Sequence, residues 1–195
     1  DYLNLPFPIA FISVPVNDTI ILGVTLLFAR HKRASLKKLG VKKVSLGIVA
    51  VVSVAAVFLI LLNVSVSGIE TAVFGPDPMA ETYSKAVTPR DSFQLVAMIA
   101  LFLVMVGPVE ELAFRGFVQK GFENSFGKMK GLLIASVFFG LVHGLNTPYA
   151  IVPGSVSGLV LGYLWQRTGG NTTASALMHG VYNSIVIVAT YLITV

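Results

Sequence analysis

Pro108-Val109-Glu110-Glu111-Leu112-Ala113-Phe114-Arg115-Gly116 places two adjacent carboxylates and a guanidinium at the end of a long apolar run. A carboxylate inside hydrocarbon is costly unless it is neutralised or paired, so acidic residues in an apolar span point to function and require a partner. If the run is helical, Glu111 and Arg115 are four apart with the acid first, the order that favours an ion pair on one helix face. Glu111 is therefore read as structural support and Arg115 as its partner. Glu110 lies about 100° away around a helix of ~3.6 residues per turn, on a face with Phe114 and Phe117, and has no local cation. Gly107-Pro108 is expected to kink the helix and deprive the Val104 carbonyl of its backbone donor, letting a polar group or water approach.

The composition around this stretch agrees with a membrane setting. Of 195 residues, 55% are hydrophobic and only 12% charged, and the mean hydropathy is +0.83, beyond ordinary globular domains and typical of a polytopic membrane protein. The absence of cysteine excludes a cysteine nucleophile, a disulfide framework and a thiolate metal site. The net charge of +5 is read as a topology signal, and no nucleic-acid partner is expected. Because the chain starts at Asp1, it is read as a piece of a longer protein.

The fold expected is all-α, a polytopic bundle of about six transmembrane helices. The first apolar segment, Phe7 to Ala29, is interrupted by Pro15 and Asn17-Asp18, which are read as a loop between half-spans. A basic connector, Arg30 to Lys43, precedes an unbroken span from Val44 to Val66. Ser67 to Asp91 is expected to be an exposed loop with a short surface helix. Ser92 to Lys120 is the third span, followed by a turn over Gly121 to Lys130 and shorter apolar segments over Gly131 to Leu145 and Tyr149 to Trp165. The last span is Thr172 to Val195, with Asn171 or Thr172 as its N-cap. Two regions follow: 1–91, spans without a motif, and 92–195, the catalytic bundle.

Alternating the spans gathers twelve of the fourteen lysines and arginines on one side, Arg115 included. By the positive-inside rule that side is cytoplasmic, and the site is expected to open toward it. His31 falls in the basic connector, leaving His143 and His179 inside spans. Phe139 precedes His143 by four residues, and His179 precedes Asn183 by four, so each pair shares a face. At ~1.5 Å rise per residue, Glu110, His143 and His179 lie roughly 10–18 Å in from the cytoplasmic ends and can meet.

Glutamate, two histidines and an asparagine suffice to hydrolyse an amide without a protein nucleophile. Glu110, assisted by His143, would deprotonate a water, and such general-base help is worth ~10²–10⁴ in rate. His179 and Asn183 would donate hydrogen bonds to the forming oxyanion, where one lost donor costs ~10²–10³.

The three pieces Glu110-Glu111-Leu112-Ala113-Phe114-Arg115, Phe139-Gly140-Leu141-Val142-His143 and His179-Gly180-Val181-Tyr182-Asn183 resemble, in order, the EExxxR, FxxxH and HxxxN signatures of the CAAX protease and bacteriocin-processing family. The resemblance covers about Ser92 to Val195. It implies a glutamate-dependent intramembrane endopeptidase with no cofactor and no metal. In prenyl-protease members, such an enzyme removes the last three residues of a lipid-modified Cys-a-a-X tail. The partners implied are a prenylated C-terminal peptide or protein and membrane lipid, with Phe114 and Phe139 shaping an apolar substrate pocket.

Three other readings compete. A zinc protease would use Glu110, His143 and His179 as ligands, although the HExxH spacing is absent. A serine protease would pair Ser157 with His179. A transporter or idle scaffold would use the buried carboxylates for ion relay or partner binding. Gly154, Gly158 and Gly162 form a small-residue stripe suited to close helix packing.

Overall fold

The computed structural model describes residues 8–194; Phe7 and Val195, the outer limits expected for the first and last spans, lie outside them. Seven helices account for the architecture, with no strand among the described residues. They are α1 (Ala10–His31), α2 (Leu46–Phe74), α3 (Ala80–Val87), α4 (Ser92–Phe126), α5 (Lys128–His143), α6 (Ile151–Arg167) and α7 (Thr172–Thr194). By length and composition α1, α2, α4 and α7 can cross a membrane. Helices α5 and α6, of 16 and 17 residues, are shorter. The outward faces are strongly apolar, with Val54 72% and Val104 78% exposed, as suits a surface covered by lipid and not water.

Several boundaries differ from those expected. Helix α1 runs unbroken through Pro15 and Asn17-Asp18; the Pro15 carbonyl accepts the Thr19 hydroxyl at 2.7 Å. Helix α2 extends to Phe74, eight residues past Val66, before Gly75 turns it at φ 83°. The turn after the third span shrinks to Gly127, whose φ of 81° ends α4. The short helix anticipated in the loop is α3, and Asn171 is the cap of α7, its side-chain oxygen accepting from Ala174 N at 3.2 Å.

Helix α4 absorbs its Gly107-Pro108 pair through a change of winding. Residues Phe102–Val106 and Phe114–Gln119 are π-helical, and the segment between them, Gly107–Ala113, is α-helical. The Gly107 amide reaches back five residues to the Phe102 carbonyl, so the wide turn accommodates the proline ring. Gly107 also lets α4 and α7 touch: a Cβ there would sit 2.5 Å from the Ala176 carbonyl oxygen, and one at Gly180 would sit 2.9 Å from the Phe102 carbonyl oxygen. The stripe on α6 packs as expected, with Gly158 against the Ser136 backbone and Gly154 against Gly140 of α5.

The two ends of the bundle are tied differently. At one end the basic connector meets the α6–α7 turn: Lys42 Nζ donates to the Gly169 carbonyl at 2.6 Å and Thr172 Oγ1 to the Leu39 carbonyl at 2.6 Å. Lys120 Nζ donates to the Lys38 carbonyl at the same end. At the opposite end the α2–α3 connector meets the α5–α6 connector, where Thr147 Oγ1 donates to Asp77 Oδ2 at 3.0 Å and Tyr149 Oη to the Phe74 carbonyl at 3.2 Å. Between the ends, Val52, Ala56 and Leu59 of α2 pack against Leu161, Leu164 and Met178 of α6 and α7.

Candidate active site

The Gly107–Gly180 contact sets the backbone of α4 against α7 and delivers Glu111 to His179. Glu111 is fully buried. Its Oε1 accepts from Arg115 Nη1 at 2.9 Å and from His179 Nδ1 at 3.0 Å. The ion pair expected from spacing is thus present, and it is also the mount of a histidine on another helix. Arg115 is itself 2% exposed, so it does not belong to the basic end with which its charge was counted. Its second nitrogen donates to the Gly158 carbonyl at 3.1 Å, and its guanidinium lies 4.6 Å over the Phe139 ring. The buried cation is thus held by a carboxylate, a backbone carbonyl and an aromatic face, as suits a low-dielectric site.

Glu110 and His143 form the second pair. Glu110 Oε2 lies 3.9 Å from His143 Nε2, too long for a direct hydrogen bond but compatible with a water bonded to both. No protein group satisfies that carboxylate oxygen among the described residues. The His143 ring is oriented by its other nitrogen, which donates to the Phe139 carbonyl at 2.9 Å. A carbonyl only accepts, so Nδ1 carries a proton and Nε2 is the nitrogen turned toward Glu110.

Glu110, His143, His179 and Asn183 line one cavity of about 770 Å³. A smaller chamber of about 180 Å³ lies against the same wall and shares His143, His179 and Asn183. Sequence spacing anticipated the meeting of these four. Phe139 lines the smaller chamber, whereas Phe114 is buried against Phe139 at 4.8 Å between ring centroids and lines neither space. The rings support the site from behind: Phe139 also stacks on His143 at 4.3 Å and meets His179 edge-on at 6.0 Å.

Two site residues come from helices in which no motif was found. Asp18 of α1 is 1% exposed and lines the larger cavity. Asn63 of α2 lines the smaller one and donates to Ser157 Oγ and Tyr182 Oη, each at 2.8 Å. Both are single polar residues in apolar spans, a signal that was present in the sequence but was read as a chain break for Asp18 and passed over for Asn63. Ser157 is bonded to Asn63 and to no histidine, which removes the geometry a serine nucleophile needs. Among the described residues no three His, Asp or Glu side chains converge as a metal-ligand set. His179 spends Nδ1 on Glu111, and Glu110 and His143 face each other across their gap.

The cavity occupies the half of the bundle that contains α3. Asp77, Ala80, Tyr83 and Asn146 wall it at that end, while the basic connector lies at the other. An opening on the basic, cytoplasmic side is expected from charge; the cavity walls lie toward the other end of the bundle.

No curated protein and no solved structure matches the chain. One family model does, over residues 92–185, and its description is type II CAAX prenyl endopeptidase Rce1-like. The matched segment contains Glu110, His143, His179 and Asn183 of the cavity wall, together with Glu111 and Arg115. Over residues 92–185, just under half of its length, this membrane-helix chain is similar to the Rce1-like family of type II CAAX prenyl endopeptidases.

Proposed function

We propose that the chain is an intramembrane glutamate endopeptidase that hydrolyses a peptide bond near the C-terminus of a prenylated CaaX protein or peptide. The observation that carries the reading is the Glu110–His143 pair, 3.9 Å apart at the wall of a cavity that also presents His179 and Asn183. A water bonded to both members of the pair gives its proton to Glu110, and its oxygen bonds to the scissile carbonyl carbon. The carbonyl oxygen becomes an oxyanion, held by the Asn183 amide and by Nε2–H of a His179 imidazolium whose Nδ1–H is already spent on Glu111. Collapse of the tetrahedral adduct breaks the C–N bond. The proton taken by Glu110 passes to the leaving nitrogen, aided by His143. Glu111, Arg115 and Phe139 touch no reacting atom in this scheme and position the two histidines.

The prenyl specificity is drawn from the family description. The apolar outer faces of the bundle suit a substrate whose lipid arrives through the membrane, and the smaller chamber, with Phe139, Pro153 and Leu161 in its wall, suits apolar residues. The test is cleavage of a fluorogenic farnesylated CaaX peptide by the detergent-purified protein, beside Glu110→Gln and with a zinc chelator. Activity that survives the chelator and disappears in the mutant supports the reading. Activity lost to chelator and restored by zinc replaces it with a metalloprotease. A well-folded protein that cleaves nothing turns attention to ion flux.

A further inference from the structure

Asp18 stands apart from the machinery so far described. It comes from α1, outside the family-matched segment, and its side chain lines the larger cavity together with Glu110, His143 and His179. It is 1% exposed, no donor among the described residues hydrogen-bonds to it, and its Oδ2 is shut off from solvent without a partner. A buried carboxylate that folding leaves unpaired is costly, and such groups persist where a ligand or water completes them. Asp18 also lies within electrostatic reach of Glu110 and His179. The charges around the cavity are one-sided: Asp18, Asp77 and Glu110 line it, and no lysine or arginine does.

Building on the peptidase reading, we propose that Asp18 is a substrate-binding residue whose carboxylate takes an N–H group of the bound peptide and selects a basic residue over an acidic one. A lysine or arginine side chain supplies the donors that the protein withholds from Asp18. A glutamate or aspartate in the same place meets the Asp18 and Glu110 carboxylates with no lysine or arginine beside it, and the His179 imidazolium of the scheme is already paired with Glu111. Asn17 and Ser13, one residue and about one and a half helical turns before Asp18, also line the cavity and offer neutral polar contacts to the same group.

Binding without turnover tests this. Two fluorescent S-farnesyl-cysteine peptides carry a ketomethylene in place of the scissile amide and differ only by lysine or glutamate at the second residue after the cysteine. The wild-type protein in detergent should bind the lysine peptide about tenfold more tightly. Asp18→Asn should reduce the preference to within about twofold, and Asp18→Glu should retain it. Equal binding of both peptides by wild type, or an unchanged preference in Asp18→Asn, overturns the proposal. A second measurement needs only wild type: dodecylamine should displace the lysine peptide where dodecanoate does not, and equal displacement overturns the proposal too. Asp18-dependent binding without cleavage of the matching amide peptides would leave this site standing and remove the peptidase reading.

Discussion

His179 Nδ1 and Glu111 Oε1 lie 3.0 Å apart, and the carboxylate oxygen that holds the histidine also holds Arg115. One acidic residue thereby fixes the ring of a neighbouring helix and neutralises a buried guanidinium. The adjacent carboxylate, Glu110, has no such engagement and faces the cavity. On the proposed mechanism, the doubled glutamate divides into a structural member and a chemical one.

That division predicts different outcomes for the two. Glu110→Gln should fold with nearly wild-type thermal stability and lose ~10²–10⁴ in kcat, the worth of a general base. Glu111→Ala should lower stability by about 3–5 kcal/mol, because it strands a buried arginine. Parallel thermal unfolding and peptide cleavage in detergent separate the two. Equal stability losses would contradict the division.

Asn183→Ala removes a proposed oxyanion donor and should reduce kcat by ~10²–10³ with little change in KM. Asn63→Leu, by contrast, unpairs Ser157 and Tyr182 across three helices and should act on stability, by about 1–3 kcal/mol. Steady-state kinetics and thermal unfolding of both variants check this pair.

Gly107→Ala inserts a methyl group into the crossing of α4 and α7, where the Ala176 carbonyl oxygen would lie 2.5 Å away. The helices must separate, at a cost of about 1–3 kcal/mol. Activity should fall further than stability, since the same crossing delivers Glu111 to His179. An alanine variant with wild-type stability and turnover would show that the contact yields without consequence.

The sidedness of the cavity is measurable because the chain has no native cysteine. Lys37→Cys reports on the basic end and Ser84→Cys on the α3 end. Under the positive-inside rule, a membrane-impermeant maleimide should label Ser84→Cys in intact cells and Lys37→Cys only after lysis. The reverse pattern would put the α3 end, and the cavity with it, toward the cytoplasm.

Much of the site was legible because helical spacing is arithmetic. Glu111 with Arg115, Phe139 with His143, and His179 with Asn183 are each four apart, and the structure places each pair on one helix face. What spacing cannot express is which helices touch. The bond from Glu111 to His179 spans 68 residues and depends on two glycines whose importance appears only when α4 meets α7. Asp18 and Asn63 escaped for a related reason: a lone polar residue in an apolar span has no partner in its own segment, and its meaning is set by a cavity or by side chains on other helices. The Pro15 reading failed because a proline removes one backbone hydrogen bond without having to end a helix within an apolar span, and α1 continues from Ala10 to His31.

The two π-helical segments of α4 make its winding a chemical variable. A wide turn holds one residue more than a regular one, so residues 107–113 are rotated out of phase with the helix before them. If Phe102–Val106 were wound as ordinary α-helix with no residue removed, everything after it would swing by about 100° relative to the segment before. Glu110 would leave the cavity wall and Glu111 would leave His179, although every charged residue and every motif spacing remained in the sequence. In this helix the winding of the apolar residues upstream is as much a part of the site as the carboxylates themselves.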